Sequence, residues 1–172
     1  MNNIEILLGD ITKAEVDAIV NAANPTMLGG GGVDGAIHRA AGSALLDACR
    51  KVVAVNGARC PFGESRITQA GNLKSKYVIH TAGPIYHSND NPSRTLRNSY
   101  TSALNLAMEN GCTSIAFPAI SCGAYGYPHS EAARIALGVC SRPEYSSLKI
   151  FFYIYDRSLY TLFVNIRKSL KG

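Results

Sequence analysis

The chain lacks any apolar run that approaches the roughly 20 residues a membrane-spanning helix requires. Its start, Met1-Asn2-Asn3-Ile4-Glu5, has no basic segment leading into a long apolar stretch. Neither a membrane span nor a secretory leader is therefore expected. No Cys-x-x-Cys pair and no Cys/His cluster with metal-ligand spacing occurs: Cys49, Cys60, Cys112, Cys122 and Cys140 are odd in number and far apart. Free thiols in a reducing cytoplasm are the simple reading. No Gly-Lys pair exists, which excludes a Walker-type phosphate loop. Neither an internal repeat nor a low-complexity linker divides the 172 residues, so a single domain spanning 1–172 with one sizeable core is expected. With 17% charged and 47% hydrophobic residues the chain is too apolar to be disordered.

What charge there is sums to +5, and a basic balance favours polyanions, either nucleic acid or a phosphorylated small molecule. The charge is not clustered. Its densest stretch, Arg167, Lys168 and Lys171, has no flanking aromatics suited to base stacking. A solvated surface is the plainer reading of that stretch, and nucleic acid is not the favoured partner.

Apolar runs and helical stretches alternate. Strands are expected at Ile4 to Leu8, Ala18 to Ala22, Arg66 to Ala70, Tyr77 to Ala82, Ser114 to Pro118 and Lys149 to Tyr155. The alanine- and leucine-rich run from Ala36 to Val55 reads as one or two helices broken near Gly42. Arg94 to Asn110 carries apolar residues spaced by three and four, with Gly111 as a stop. Ser130 to Cys140, with Ser130 as N-cap, and Ser158 to Leu170 complete the helices. Such alternation implies a sheet covered on both faces, the α/β layered class. The polar segment Ile85 to Ser93 reads as an exposed loop.

Gly29-Gly30-Gly31-Gly32-Val33-Asp34-Gly35 is the loudest local feature. Consecutive glycines weaken helices and strands, but suit a sharp bend or a close approach of backbone to ligand. A glycine-rich turn feeding a helix presents free N–H groups to an anion such as phosphate; a tight structural turn is the plain alternative. Gly30, Gly32 and Gly35 formally satisfy G-x-G-x-x-G, yet no strand runs directly into the first glycine, which argues against a dinucleotide fingerprint. A second loop, Pro118 to Pro128, also lies between strand and helix. Two such loops at the carboxyl ends of strands could face each other across one crevice and grip a diphosphate from two sides.

Asp34 could cap its helix, or orient and deprotonate water beside a phosphate site. His38, four residues on, would share its helix face. Asn21 and Asn24 flank the end of a buried strand, where turn formation is the bland reading. Asp10 could cap the segment after it or meet a ligand at a strand end. Cys122 near a helix start could be a nucleophile with His129 as base, a reading for which these residues offer little context.

Together these motifs resemble the macrodomain family, and within it the MacroD-type hydrolase branch. The resemblance rests on Gly9-Asp10-Ile11-Thr12, Val20-Asn21-Ala22-Ala23-Asn24-Pro25, Gly29 to His38, His80-Thr81-Ala82-Gly83-Pro84 and Phe117 to Pro128, which occur in the family's order. It implies a three-layer α/β/α sandwich with a central mixed sheet of about six strands and an ADP-ribose cleft at the sheet's end. Asp10 would accept from the adenine amino group with the Ile11 backbone nearby, and Tyr155 would stack on adenine. The backbones of Gly31, Gly32 and Val33, and of Ser121, Gly123, Ala124 and Tyr125, would cradle the diphosphate. Asn24 and Asp34 would be the catalytic residues facing the distal ribose, with His38 in support and the Tyr125 ring enclosing it. Cys122 stands where the family more usually has serine or threonine, which weakens any side-chain contact to phosphate. Members of this branch hydrolyse ADP-ribose esters, both O-acetyl-ADP-ribose and mono-ADP-ribosylated acidic side chains, without metal or redox cofactor. A cytoplasmic hydrolase is thus the leading expectation. A non-catalytic ADP-ribose reader and, more remotely, an RNA-binding protein are the alternatives.

Overall fold

The computed structural model describes residues 1–171. Strands β1 (Ile4–Leu8), β2 (Ala18–Ala22), β3 (Ser65–Gln69), β4 (Tyr77–Thr81), β5 (Ser114–Phe117) and β6 (Lys149–Ile154) form one six-stranded sheet in the order β1-β6-β5-β2-β4-β3. Neighbours run parallel except at the edge, where β3 joins β4 antiparallel. Parallel pairing demands crossover connections, and helices supply most of them. These are α1 (Gly32–Ala41), α2 (Ser43–Arg50), α3 (Pro92–Glu109), α4 (His129–Cys140) and α5 (Arg157–Lys171). The mixed six-stranded α/β arrangement is the one the sequence led us to expect.

Side-chain parity divides the core between the sheet's two faces. Ile4, Ile6, Val20, Ile115, Phe117, Ile150 and Phe152 turn to the face covered by Leu96 and Tyr100 of α3, Ala133 and Leu137 of α4, and Phe163 of α5. There the Phe117 and Phe152 rings stack at 5.7 Å, and Phe163 meets Phe152 at 5.6 Å. Ile19, Val78 and Ala116 turn the other way, onto Ile37 and Ala41 of α1 and Leu45 and Cys49 of α2. All five cysteines are buried and unpaired. Among the described residues no helix is long and apolar enough to cross a membrane.

Several boundaries differ from expectation for identifiable reasons. The helix after the glycine run starts at Gly32, four residues earlier than read, and the expected break occurs at Gly42, whose φ is +81°. The second helix ends at Arg50 rather than near Val55. Beyond it, Val55 bridges Ala58 around Asn56 and Gly57, both with positive φ (+53° and +81°). An Asn-Gly pair favours that tight turn over helix. Pro128, not Ser130, caps α4, and its side chain makes no cap hydrogen bond. α3 begins at Pro92, two residues early, because Asn91 caps it by accepting from the Arg94 N–H at 3.3 Å and proline tolerates the first helical position.

Candidate active site

A cleft of about 890 Å³ opens where β1, β2, β5 and β6 end. The Asn24 and Gly30–Asp34 segments line one part of it, Pro118–Tyr125 another, and Gly9–Ile11 with Tyr153–Asp156 a third. Parallel strands deliver their loops to one edge, so segments more than 80 residues apart in sequence share one cavity.

The glycine run bends as its composition suggested. Gly29 and Gly32 have φ of +94° and +57°, where a side chain would be strained. Gly31 occupies the N-cap of α1, and Asp34 falls in the first helical turn rather than at the cap. A carboxylate there is favoured by the helix dipole. Asp34 is nonetheless 5% exposed. Asn21 Nδ2 donates to its Oδ1 at 2.7 Å, and His38 Nε2 stands 3.4 Å from the same oxygen. Burial pushes the carboxyl above its ordinary value, against the lowering influence of the Asn21 hydrogen bond and of His38. A Cβ on Gly30 would sit 3.1 Å from Asp34 Oδ2 and 3.4 Å from Asn24 Nδ2, so glycine leaves room beside the carboxylate.

Asn24 is held within its own loop. Its Nδ2 donates to the Gly29 carbonyl at 3.0 Å, and its Oδ1 accepts from the Thr26 N–H at 3.1 Å and Thr26 Oγ1 at 2.5 Å. The Arg59 and Cys60 N–H groups both donate to the Pro25 carbonyl, at 2.8 and 3.0 Å, which ties this loop to the chain after α2.

The second loop is clamped from below. Ser121, buried with φ +65°, turns its Oγ away to donate to the Pro84 carbonyl at 2.8 Å. The Tyr86 N–H donates to the Tyr125 carbonyl at 2.9 Å. Gly83 lies directly beneath: a Cβ there would collide with Ile120 Cγ2 and come within 2.5 Å of Ser121 Oγ. Gly83→Ala is therefore expected to lift this loop and weaken binding of a diphosphate ligand by about tenfold, a loss of about 1.4 kcal/mol. Calorimetry with ADP-ribose reads it, and an unchanged Kd would show the clamp to be irrelevant. Cys122 packs into the core, where burial pushes its thiol up to about 12. His129 Nε2 meets the Cys122 carbonyl at 2.9 Å rather than its sulfur. A cysteine nucleophile activated by His129 is thereby set aside, since such a thiol stays protonated and lacks its base.

At the far end Asp10 caps the short 3-10 turn Ile11–Lys13, its Oδ1 accepting from Thr12 N–H at 2.9 Å and Thr12 Oγ1 at 2.8 Å. Tyr155, just past β6, is 82% exposed with its side chain available to a flat partner. Asp10, Ile11, Asn24, Gly31, Gly32, Val33, Asp34, Ser121, Cys122, Gly123, Ala124, Tyr125 and Tyr155 all line the cleft, whereas His38 sits behind Asp34 without lining it. Sequence reading missed the contact of Asn21 with Asp34 and the lining roles of Gly83 and His129.

A family model for the Macro domain matches residues 20–136. The chain belongs to the macrodomain family. This macrodomain is 58% identical over 162 residues to a macro domain-containing protein of Vibrio parahaemolyticus, covering 94% of this chain and 95% of that one. It is 50% identical over 161 residues to the O-acetyl-ADP-ribose deacetylase of Escherichia coli, covering 89% and 88%. Among solved structures, the Oceanobacillus iheyensis macrodomain with ADP superposes with a TM-score of 0.92 at 42% identity, covering 97% of this macrodomain and 90% of that chain. The Trypanosoma brucei macrodomain in complex with ADP-ribose gives 0.82 at 40% identity, covering 95% and 68%.

Proposed function

We propose that this macrodomain binds ADP-ribose in the cleft and hydrolyses esters at its distal ribose. O-acetyl-ADP-ribose and mono-ADP-ribosylated aspartate or glutamate side chains are the substrates. The observation that carries the reading is the buried Asp34 carboxylate, which shares one cleft with two glycine-bearing loops suited to a diphosphate. The relatives named O-acetyl-ADP-ribose deacetylase support the reaction class. The 1–172 chain acts as one domain, and five unpaired cysteines suit the cytoplasm.

Backbone N–H groups of Gly31, Gly32 and Val33 at the start of α1, with those of Ser121, Gly123, Ala124 and Tyr125, hold the diphosphate. Asp10 keeps its Oδ2 for the adenine amino group beside the Ile11 backbone, and Tyr155 stacks on the ring. Asn24 orders the loop that meets the distal ribose, and the Tyr125 ring encloses it. A water between ribose ester and Asp34 gives its proton to the carboxylate as its oxygen attacks the ester carbonyl. Collapse of that intermediate frees the carboxylic acid and returns a proton to the ribose oxygen. A carboxyl raised by burial is a stronger base than a solvated one, and a substrate phosphate oxygen helps orient the water. Loop N–H groups add electrostatic stabilisation.

Incubation with O-acetyl-ADP-ribose and with a Glu-linked mono-ADP-ribosylated protein should release acetate and ADP-ribose respectively. Release no faster than by Asp34→Ala would remove the enzymatic reading, and ADP-ribose binding without turnover would make the protein a reader. Tyr155→Ala is expected to weaken ADP-ribose by about 1–3 kcal/mol, the usual worth of an aromatic stack on a base. Calorimetry finding the same Kd for both proteins would place the adenine elsewhere.

A further inference from the structure

We infer that His80 is a positioning residue for Asp34, acting through the Asn21 amide that lies between them. Its effect on turnover rests on the hydrolase reading above; its geometry does not. Asn21 and His80 are register partners on β2 and β4, and both are fully buried on the α1–α2 face of the sheet. Polar side chains so placed need partners. His80 Nδ1 lies 3.2 Å from Asn21 Nδ2, while His80 Nε2 lies 2.9 Å from Thr68 Oγ1 and 3.7 Å from Cys49 Sγ. Asn21 Nδ2 also donates to Asp34 Oδ1 at 2.7 Å.

Both contacts of the Asn21 amide run through its nitrogen, and its Oδ1 has no hydrogen-bond partner among the described residues. Turning the amide over would press Oδ1 against the Asp34 carboxylate, so an ionised Asp34 holds the nitrogen where it is. The two amide protons then go one to Asp34 and one to His80. His80 Nδ1 must therefore accept, which places the single proton of a neutral imidazole on Nε2, donated to Thr68 Oγ1. Burial pushes this imidazole down to about 3, in keeping with a neutral ring. The chain Thr68, His80, Asn21, Asp34 thus fixes the amide from behind.

Without an acceptor at His80 the Asn21 amide is held from the Asp34 side alone, and the hydrogen bond that lowers the Asp34 carboxyl is less firmly fixed. The other titratable groups facing Asp34 are His38 of α1, Cys49 of α2 and Tyr125 of the second loop; of these Cys49 also touches His80 and His38 acts on it electrostatically, whereas Tyr125 has no contact with it. The carboxyl then titrates higher, and the water it orients is held less well.

The test uses the full chain. In long-range nitrogen–proton NMR spectra His80 should remain the neutral Nε2–H tautomer from pH 5 to 8; an Nδ1–H tautomer would overturn the inference. His80→Leu removes the acceptor, whereas His80→Asn can set an amide oxygen where Nδ1 stands. His80→Leu is expected to lower kcat on O-acetyl-ADP-ribose by about 10- to 100-fold, leave the ADP-ribose Kd within about twofold, and move the acid limb of the kcat/KM profile to higher pH. His80→Asn should restore most of both. Equal losses in the two variants, or a leucine variant with unchanged kcat and acid limb, would overturn the proposal. Thr68→Val keeps the ring and should shift the acid limb in the same direction by less, which covers a leucine variant that fails to fold. Should the unaltered protein prove inert, the hydrolase reading falls alone. The carbon-13 titration of the Asp34 carboxyl still decides this one, since its midpoint must rise in His80→Leu or Thr68→Val.

Discussion

Asp34→Asn is expected to lower kcat on O-acetyl-ADP-ribose by about 10²- to 10⁴-fold and to raise the melting temperature in the same protein. The amide has the shape of the carboxylate and its oxygen can still accept from Asn21 Nδ2, so the packing under the first loop survives. The basic group and its charge are lost. Folding raises this carboxyl above its ordinary value because burial outweighs the Asn21 hydrogen bond and His38. A group raised on folding contributes stability that is complete below its unfolded value and is lost as pH rises through the folded one. At neutral pH the native state therefore carries a charge its surroundings disfavour, and a neutral isostere relieves it. Activity and stability trade against each other at this residue. Steady-state kinetics and thermal unfolding on one preparation read both effects. A variant that keeps its rate within about tenfold of the parent would remove Asp34 as the base, and a lower melting temperature would show that burial does not dominate there.

Mild acid should weaken the fold through one buried histidine. His80 is held neutral in the native state, pushed from 6.5 down to about 3 by burial, with His38 adding to the effect. Between those values the unfolded chain binds a proton there that the folded chain refuses, so stability falls as pH falls. The slope is about 1.4 kcal/mol per pH unit and about 5 kcal/mol over the window, comparable with the lower end of a domain's whole stability. Asp34 acts in the opposite sense over its own window, and Asp17, lowered by its hydrogen bonds to Thr113, matters only below 3.8. Comparison of the parent with His80→Asn isolates the histidine. Denaturant midpoints at pH 7, 6 and 5 should converge or cross, with the variant losing about 0.7 kcal/mol less from pH 7 to 6 and about 1.2 kcal/mol less from pH 6 to 5. Parallel losses would show that the imidazole protonates in place.

Some of the site was open to sequence reading because its chemistry is local. Gly29 and Gly32 adopt backbone angles that glycine alone tolerates without strain, and the order strand, glycine turn, helix places such a turn at a sheet's carboxyl edge wherever it occurs. Strand parity was visible in Ile4-Glu5-Ile6, where a charged residue separates two buried ones, but not in Ile150 to Ile154, an unbroken apolar and aromatic run whose burial alternates only in the fold. The Asn56-Gly57 turn is just as local, but the alanine- and leucine-rich run before it carries the expected helix to Val55, whereas α2 ends at Arg50. Asn21 and His80 each interrupt an apolar strand, which marks a buried polar residue without saying what satisfies it.

Composition and motif order alone determined that this chain makes a layered α/β fold with glycine turns feeding helices, because backbone conformational preference and hydrophobic period act over a few residues. Only the tertiary structure decided that Asn21 stands opposite His80, that Gly83 lies beneath Ser121, and that the Asp34 carboxylate is buried against an amide 13 residues away. Those facts depend on which strands pair and in what register, and pairing is selected by the whole core at once rather than by any one segment.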